Sequence, residues 1–215
     1  MFRNVIFDWS GTLCDDLGPV LETVNAVLRH CGAPEVDRDG FLRDFRLPFG
    51  DYYREILPDK THDELEALYR HYYPMSRRPV AAIPHAAGFV GALRAAGRSC
   101  FLLSAVTPGH WREQAEAIGL ADAFQGIRLG VRDKRGVLPR WLEAERWDPE
   151  ETCFIGDMVH DVEAARAAGV TAIAVLTGYD SAAKLAASGP DLIVPDLDAL
   201  ARWFRRAEAR ATAAE

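Results

Sequence analysis

Phe2-Arg-Asn-Val-Ile-Phe-Asp-Trp-Ser-Gly-Thr-Leu13 is an apolar run that delivers a carboxylate, Asp8, into a glycine-containing turn. A strand ending in a carboxylate and followed by Gly11 and Thr12 is how an open α/β sheet presents a reactive group at its carboxyl edge, where such sheets hold their ligands. Alone, the same Asp reads equally as a turn cap. Its weight comes from three further pieces that follow in order.

Ser104 closes a second apolar strand, Ser99-Cys-Phe-Leu-Leu-Ser104. Lys134 lies in a polar stretch after a third, Gly126-Ile-Arg-Leu-Gly130, and a fourth strand, Thr152-Cys-Phe-Ile155, runs into Gly156-Asp157-Met-Val-His-Asp161. Further strands are predicted at 171–176 and 191–194. Helical spacing in Leu138-Pro-Arg-Trp-Leu-Glu-Ala-Glu145, and a helix from Asp161 stopped by Gly169, complete an alternation of strand and helix. That alternation predicts an α/β fold with a mainly parallel sheet.

Residues 15–82 interrupt it with helical stretches and no convincing strand. Helices are predicted from Pro19 to Cys31, Arg38 to Phe45, Asp51 to Ile56 and His62 to Tyr73. Leu65, Leu68, Tyr69, Tyr72 and Tyr73 share one apolar face. The tail, Arg205 to Glu215, reads as a fraying helix end.

The 215 residues are 49% hydrophobic with a formal charge of −7, as expected of a packed globular protein that repels nucleic acid. Cys14, Cys31, Cys100 and Cys153 are too scattered for a zinc site or redox pair, so buried thiols in a reducing cytoplasm are expected. The chain runs at once into the Asp8 strand, so no removable signal peptide is expected. No run of about 20 apolar residues offers a membrane span.

The four strand-end motifs resemble the haloacid dehalogenase-like (HAD) hydrolase superfamily, whose pattern is D-x-D-G-T, then Ser or Thr, then Lys, then G-D-x-x-x-D. The helical insertion after the first motif is similar to that of phosphoglycolate phosphatase-like members. The resemblance implies a doubly wound core, 1–14 and 83–215, with an α-helical cap domain over 15–82. It implies a hydrolase of small phosphorylated metabolites that works through an aspartyl phosphate, with Mg2+ as cofactor. Asp8 matches the nucleophile and Lys134 the charge-stabilising lysine. Thr12, Ser104 and Lys134 would hold phosphate, and the metal would sit on Asp8, Asp157, Asp161 and the backbone carbonyl of residue 10. Expected partners are a small metabolite, no nucleic acid and no membrane, in a monomer or homodimer.

Ser10 departs from the pattern, because the family's phosphatases usually carry a general acid–base aspartate there. Such catalysis is typically worth about 10² to 10⁴-fold. Three readings stand: a phosphatase in which water, Asp15, Asp16 or a cap residue stands in; a weak or inactive phosphate-binding or regulatory protein; and a phosphonate hydrolase, which would need a Schiff-base lysine for which only Lys60 is available in the insertion. On the first, Ser10→Asp is expected to raise turnover where the missing acid is limiting. Trp9, Arg43, Arg46, Tyr52, Tyr53, Arg77 and Arg78 are candidate substrate contacts. His85 and His160 read as bystanders.

Overall fold

The computed structural model describes residues 2–76 and 78–212. In chain order the elements are β1 (Asn4–Phe7), β2 (Cys14–Asp15), α1 (Leu17–His30), α2 (Arg38–Asp44), α3 (Phe49–Ile56), α4 (His62–Tyr72), β3 (Ala81–Ala82), α5 (Ala86–Ala95), β4 (Ser99–Leu103) and α6 (Pro108–Ala117). There follow β5 (Gly126–Arg128), α7 (Lys134–Glu145), β6 (Thr152–Gly156), α8 (Val159–Ala168), β7 (Thr171–Val175), α9 (Ala182–Ser188), β8 (Leu192–Val194) and α10 (Leu197–Thr212).

Six strands form one parallel sheet in the order β5-β4-β1-β6-β7-β8. β1 lies inside it, with Asn4 in register with Ser99 on one side and Thr152 on the other. A strand covered on both faces needs a continuous apolar run rather than alternation. Val5, Ile6 and Phe7 supply it, and all three are fully buried. Val5 and Phe7 pack against Phe89 and Leu93 of α5, Trp111 of α6 and Phe204 of α10. Ile6, on the opposite face, packs with Leu138 and Trp141 of α7, Val162 of α8 and Leu185 of α9. The sheet is therefore doubly wound, and the connections change face between β5 and β6.

The insertion departs from its prediction at its ends, where β2 and β3 pair antiparallel, Cys14 with Ala82 and Asp15 with Ala81. Strands of two residues carry no readable alternation. Between them, α1 to α4 share a cluster of their own containing Val24, Val27, Phe41, Tyr53 and Leu65, which Met158 and Tyr179 join from the loops after β6 and β7. α4 opens with a reciprocal cap in which Thr61 and Glu64 bond each other's backbone N–H. No described helix is long and apolar enough to cross a membrane.

α7 begins four residues earlier than its apolar spacing indicates, at Lys134, with the Asp133 side chain accepting from Arg135 N. α8 ends as expected at Gly169, whose φ of 70° is the left-handed conformation that glycine adopts without strain. α10 continues through the Ala- and Arg-rich tail to Thr212, anchored by buried Leu197, Leu200 and Phe204.

Candidate active site

Successive strands β1, β4, β5 and β6 release the chain at one edge of the sheet, which is why residues as distant in sequence as Asp8, Ser104, Lys134 and Asp157 meet there. Lys134 is fully buried and places its Nζ 2.8 Å from Asp8 Oδ1 and 2.7 Å from Asp161 Oδ1. Burial alone would lower its pKa, but Asp161 and Asp8 outweigh that and hold it up at about 12. The lysine is a permanent cation.

Asp8, Asp157 and Asp161 are buried and can bring one carboxylate oxygen each within 4.8 Å of the others. Three carboxylates against one ammonium leave surplus negative charge in a dry setting. Burial, then the neighbouring carboxylates, raises Asp157 well above its ordinary value; burial also raises Asp8, against the pull of Lys134. An all-oxygen, buried, electronegative donor set is what a hard divalent cation requires, and Mg2+ fits it.

Asp157 is held tightly. Thr12 Oγ1 donates to its Oδ1 at 2.7 Å, and Tyr179 N donates to its Oδ2 at 2.8 Å. A Cβ on Gly178 would lie 1.9 Å from Oδ2 and one on Gly11 2.4 Å, so both glycines are needed for close approach. Asp161 is the third residue of α8, and its Oδ2 accepts from Met158 N at 3.1 Å while Oδ1 faces Lys134. The same carboxylate steadies the helix start and completes the cluster.

Ser104, immediately after β4, lines a cavity together with Asp8, Ser10 and Asp16. Its Oγ accepts from Val106 N, which uses a lone pair and leaves the hydroxyl proton to donate. One expectation for the phosphate cradle is corrected: the Thr12 hydroxyl is spent on Asp157, and beside it the Gly11 N–H donates to Cys14 O at 2.7 Å.

Ser10 is not isolated. Its hydroxyl donates to Asp16 Oδ2 at 2.6 Å, and Tyr179 OH donates to Oδ1 at 2.9 Å. Asp16 is buried, and burial pushes it up to about 6 against the lowering effect of those two bonds. A carboxyl group thus stands beside position 10, supplied from the start of α1. The Asp16 side chain makes no cap bond to that helix, because both of its oxygens are committed elsewhere.

Of the described candidate contacts in the insertion, only Tyr53 lines the cavity. Arg43 pairs with Asp44 and Arg46 with Glu55 at the surface, Tyr52 is buried in the helical cluster, Arg78 is exposed, and Arg77 lies outside the described residues. Trp9 is fully buried, donating to Gln114 Oε1 at 2.6 Å. Lys60 lies 3.7 Å from Glu64 and is not a cavity residue, so it cannot serve as a Schiff-base lysine there. His85 is an exposed residue in a left-handed turn. His160 Nε2 accepts from Lys134 N at 3.1 Å, and burial, then Lys134, lowers its pKa to about 4. Tyr179 and Gly178 escape sequence reading, since their only signal is a Gly-Tyr pair in the loop after an unexceptional strand.

The sequence profile of the haloacid dehalogenase-like hydrolases matches residues 5–175. This chain belongs to that family of enzymes. Among HAD relatives, a phosphoglycolate phosphatase of Chromobacterium violaceum is 30% identical over 206 residues, spanning 89% of this chain and 91% of its own. One from Synechococcus elongatus is 29% identical over 202 residues, spanning 89% and 92%. Among solved HAD-like folds, a haloacid dehalogenase-like hydrolase from Streptococcus pneumoniae superposes with a TM-score of 0.81 at 20% identity, covering 94% of this chain and 98% of that one. A hydrolase from Pseudomonas syringae also gives 0.81, at 17% identity, covering 95% and 98%.

Proposed function

We propose that this HAD hydrolase is a magnesium-dependent phosphomonoesterase of small phosphorylated metabolites, with residues 15–82 as the cap. The observation that carries the reading is Asp8 at the end of β1, paired with buried Lys134 and sharing a cavity with the Ser104 hydroxyl. The phosphatase names of the full-length relatives point the same way.

In this reading, a carboxylate oxygen of Asp8 attacks phosphorus in line, the P–O bond to the alcohol breaks, and an aspartyl phosphate forms; attack by water then releases phosphate and restores the carboxylate. Lys134 offsets charge on Asp8 and on the phosphoryl oxygens, and Ser104 donates to one of those oxygens. Asp8, Asp157, Asp161 and the Ser10 carbonyl would hold Mg2+, which when bound would offset the repulsion between nucleophile and phosphate. Asp16 takes the acid–base role, because its carboxyl is the one beside residue 10.

Magnesium binding has a readout independent of turnover. At about 100 times Kd it should stabilise the fold by about 2.7 kcal/mol, seen as a rise of roughly 5–10 °C in Tm for a chain of this size. Asp157→Asn should show no comparable shift, and a wild-type Tm indifferent to the ion would sink the metal assignment.

The Ser10–Asp16 contact revises the expectation for Ser10→Asp. That variant crowds a second carboxylate against Asp16 and should not raise turnover. Asp16→Asn should lower kcat by about 10² to 10⁴-fold, and combining Ser10→Asp with Asp16→Ser should recover much of the loss. A double variant no better than either single one would show that the two sites do not exchange a carboxyl role.

A further inference from the structure

Resting on the phosphatase reading, the substrate's other half can be taken from the cavity. About 170 Å³ lies between the strand ends and the helical insertion. Its scale is that of an apolar cavity of roughly 150 Å³ that admits benzene. Beyond Asp8, Ser10, Asp16 and Ser104 the wall is largely apolar, with Val24, Phe49, Leu65 and Tyr69 from the insertion and Val106 and Met158 from the core.

The aromatic part of this wall is ordered. Tyr69 stacks on Tyr73 with ring centroids 5.6 Å apart, and Tyr73 stacks on His110 at 4.1 Å. The Tyr73 hydroxyl is bonded by Gln114. Burial lowers the pKa of His110, against the opposing pull of Glu113, and so favours its neutral ring. Tyr53, which lines the same cavity, has a buried hydroxyl without a partner among the described residues.

A small anionic alcohol such as glycolate would need a free cation here. Arg132 is taken by Glu66, 2.5 Å away and itself a cavity residue, with Asp63 at 3.7 Å. Arg70 also lines the cavity, as an exposed side chain at its solvent side. Away from Arg70 at the solvent side, a substrate carboxylate would meet aromatic faces, Glu66 and Asp16.

We infer that the preferred substrate is the phosphomonoester of an uncharged, ring-bearing alcohol whose ring lies against Tyr69 and Tyr73, with Tyr53 available to a polar substituent. This makes the cap wall a selector for apolar surface, in contrast to the compound for which the relatives are named.

The test is kcat/KM for 2-phenylethyl phosphate, ethyl phosphate and phosphoglycolate with magnesium, using Asp8→Asn as the blank. All three are esters of primary alkyl alcohols, so leaving-group activation by an aryl ester does not bias the comparison. Burial of the ring should favour 2-phenylethyl phosphate over each of the others by about 10 to 100-fold. Tyr69→Ala should reduce the ratio of 2-phenylethyl to ethyl phosphate about 10-fold, a ratio insensitive to the fraction of protein folded. Preference for phosphoglycolate, or a ratio that Tyr69→Ala leaves unchanged, would overturn the inference while leaving the phosphatase intact. No release above the blank with any ester would overturn both.

Discussion

In the proposed mechanism, Asp8→Asn should reduce magnesium-dependent phosphate release by about 10⁴-fold or more, because it removes the atom proposed to bond to phosphorus and not merely a contact to substrate. Asn has almost the shape of Asp but no carboxylate to attack. The fold should survive, since Lys134 retains Asp161 as a charged partner at 2.7 Å and one negative charge leaves an overcrowded cluster. A folded variant that releases phosphate as fast as wild type would refute Asp8 as nucleophile. If instead the wild type were as slow as the variant on every ester, the protein would be a phosphate binder on a hydrolase frame.

Lys134→Met should damage both stability and turnover. The side chain is fully buried, and its ammonium is the charge that compensates Asp8 and Asp161. Methionine fills similar volume but leaves carboxylates buried without their partner, a change that costs about 3–5 kcal/mol. At roughly 2–4 °C per kcal/mol for a chain of this size, thermal unfolding should fall by about 10 °C. Magnesium should restore more of that loss than it adds to wild type, because the ion offsets the same charge. Turnover should drop by about 10² to 10³-fold even where the protein is folded. A variant as stable as wild type without magnesium would mean the carboxylates do not depend on Lys134.

The contrast between these variants follows from what surrounds each residue, which is not written beside it in the chain. Lysine is ordinarily a solvated surface residue. Lys134 can be singled out because the chain has few lysines beside abundant arginine and because it follows a strand in the right order, yet neither observation reveals that it is the first residue of a helix, wholly buried between two aspartates. Asp16 is plainer still. It stands at an N-cap position, where an Asp usually bonds its own helix, and only the approach of Ser10 and Tyr179 diverts it.

Local pattern was sufficient wherever one strand or one turn carried the information. The buried run Val5-Ile-Phe7, the insertion's helices, Asp8, Ser104 and Asp157 at strand ends, and Asp161 four residues on in the same motif are all periodicity or short motifs, and the parallel sheet follows from strand–helix alternation. The use of the Thr12 hydroxyl for Asp157, the Ser10–Asp16 pair, the close approach of Gly178 and the aromatic wall facing Asp8 were decided by tertiary structure alone. The physical reason is range. A strand's burial is set by the residues along it, whereas a hydrogen bond between Thr12 and Asp157 or a cavity shared by Tyr69 and Asp8 exists only once separate elements have packed, and no periodicity within either element encodes the partner.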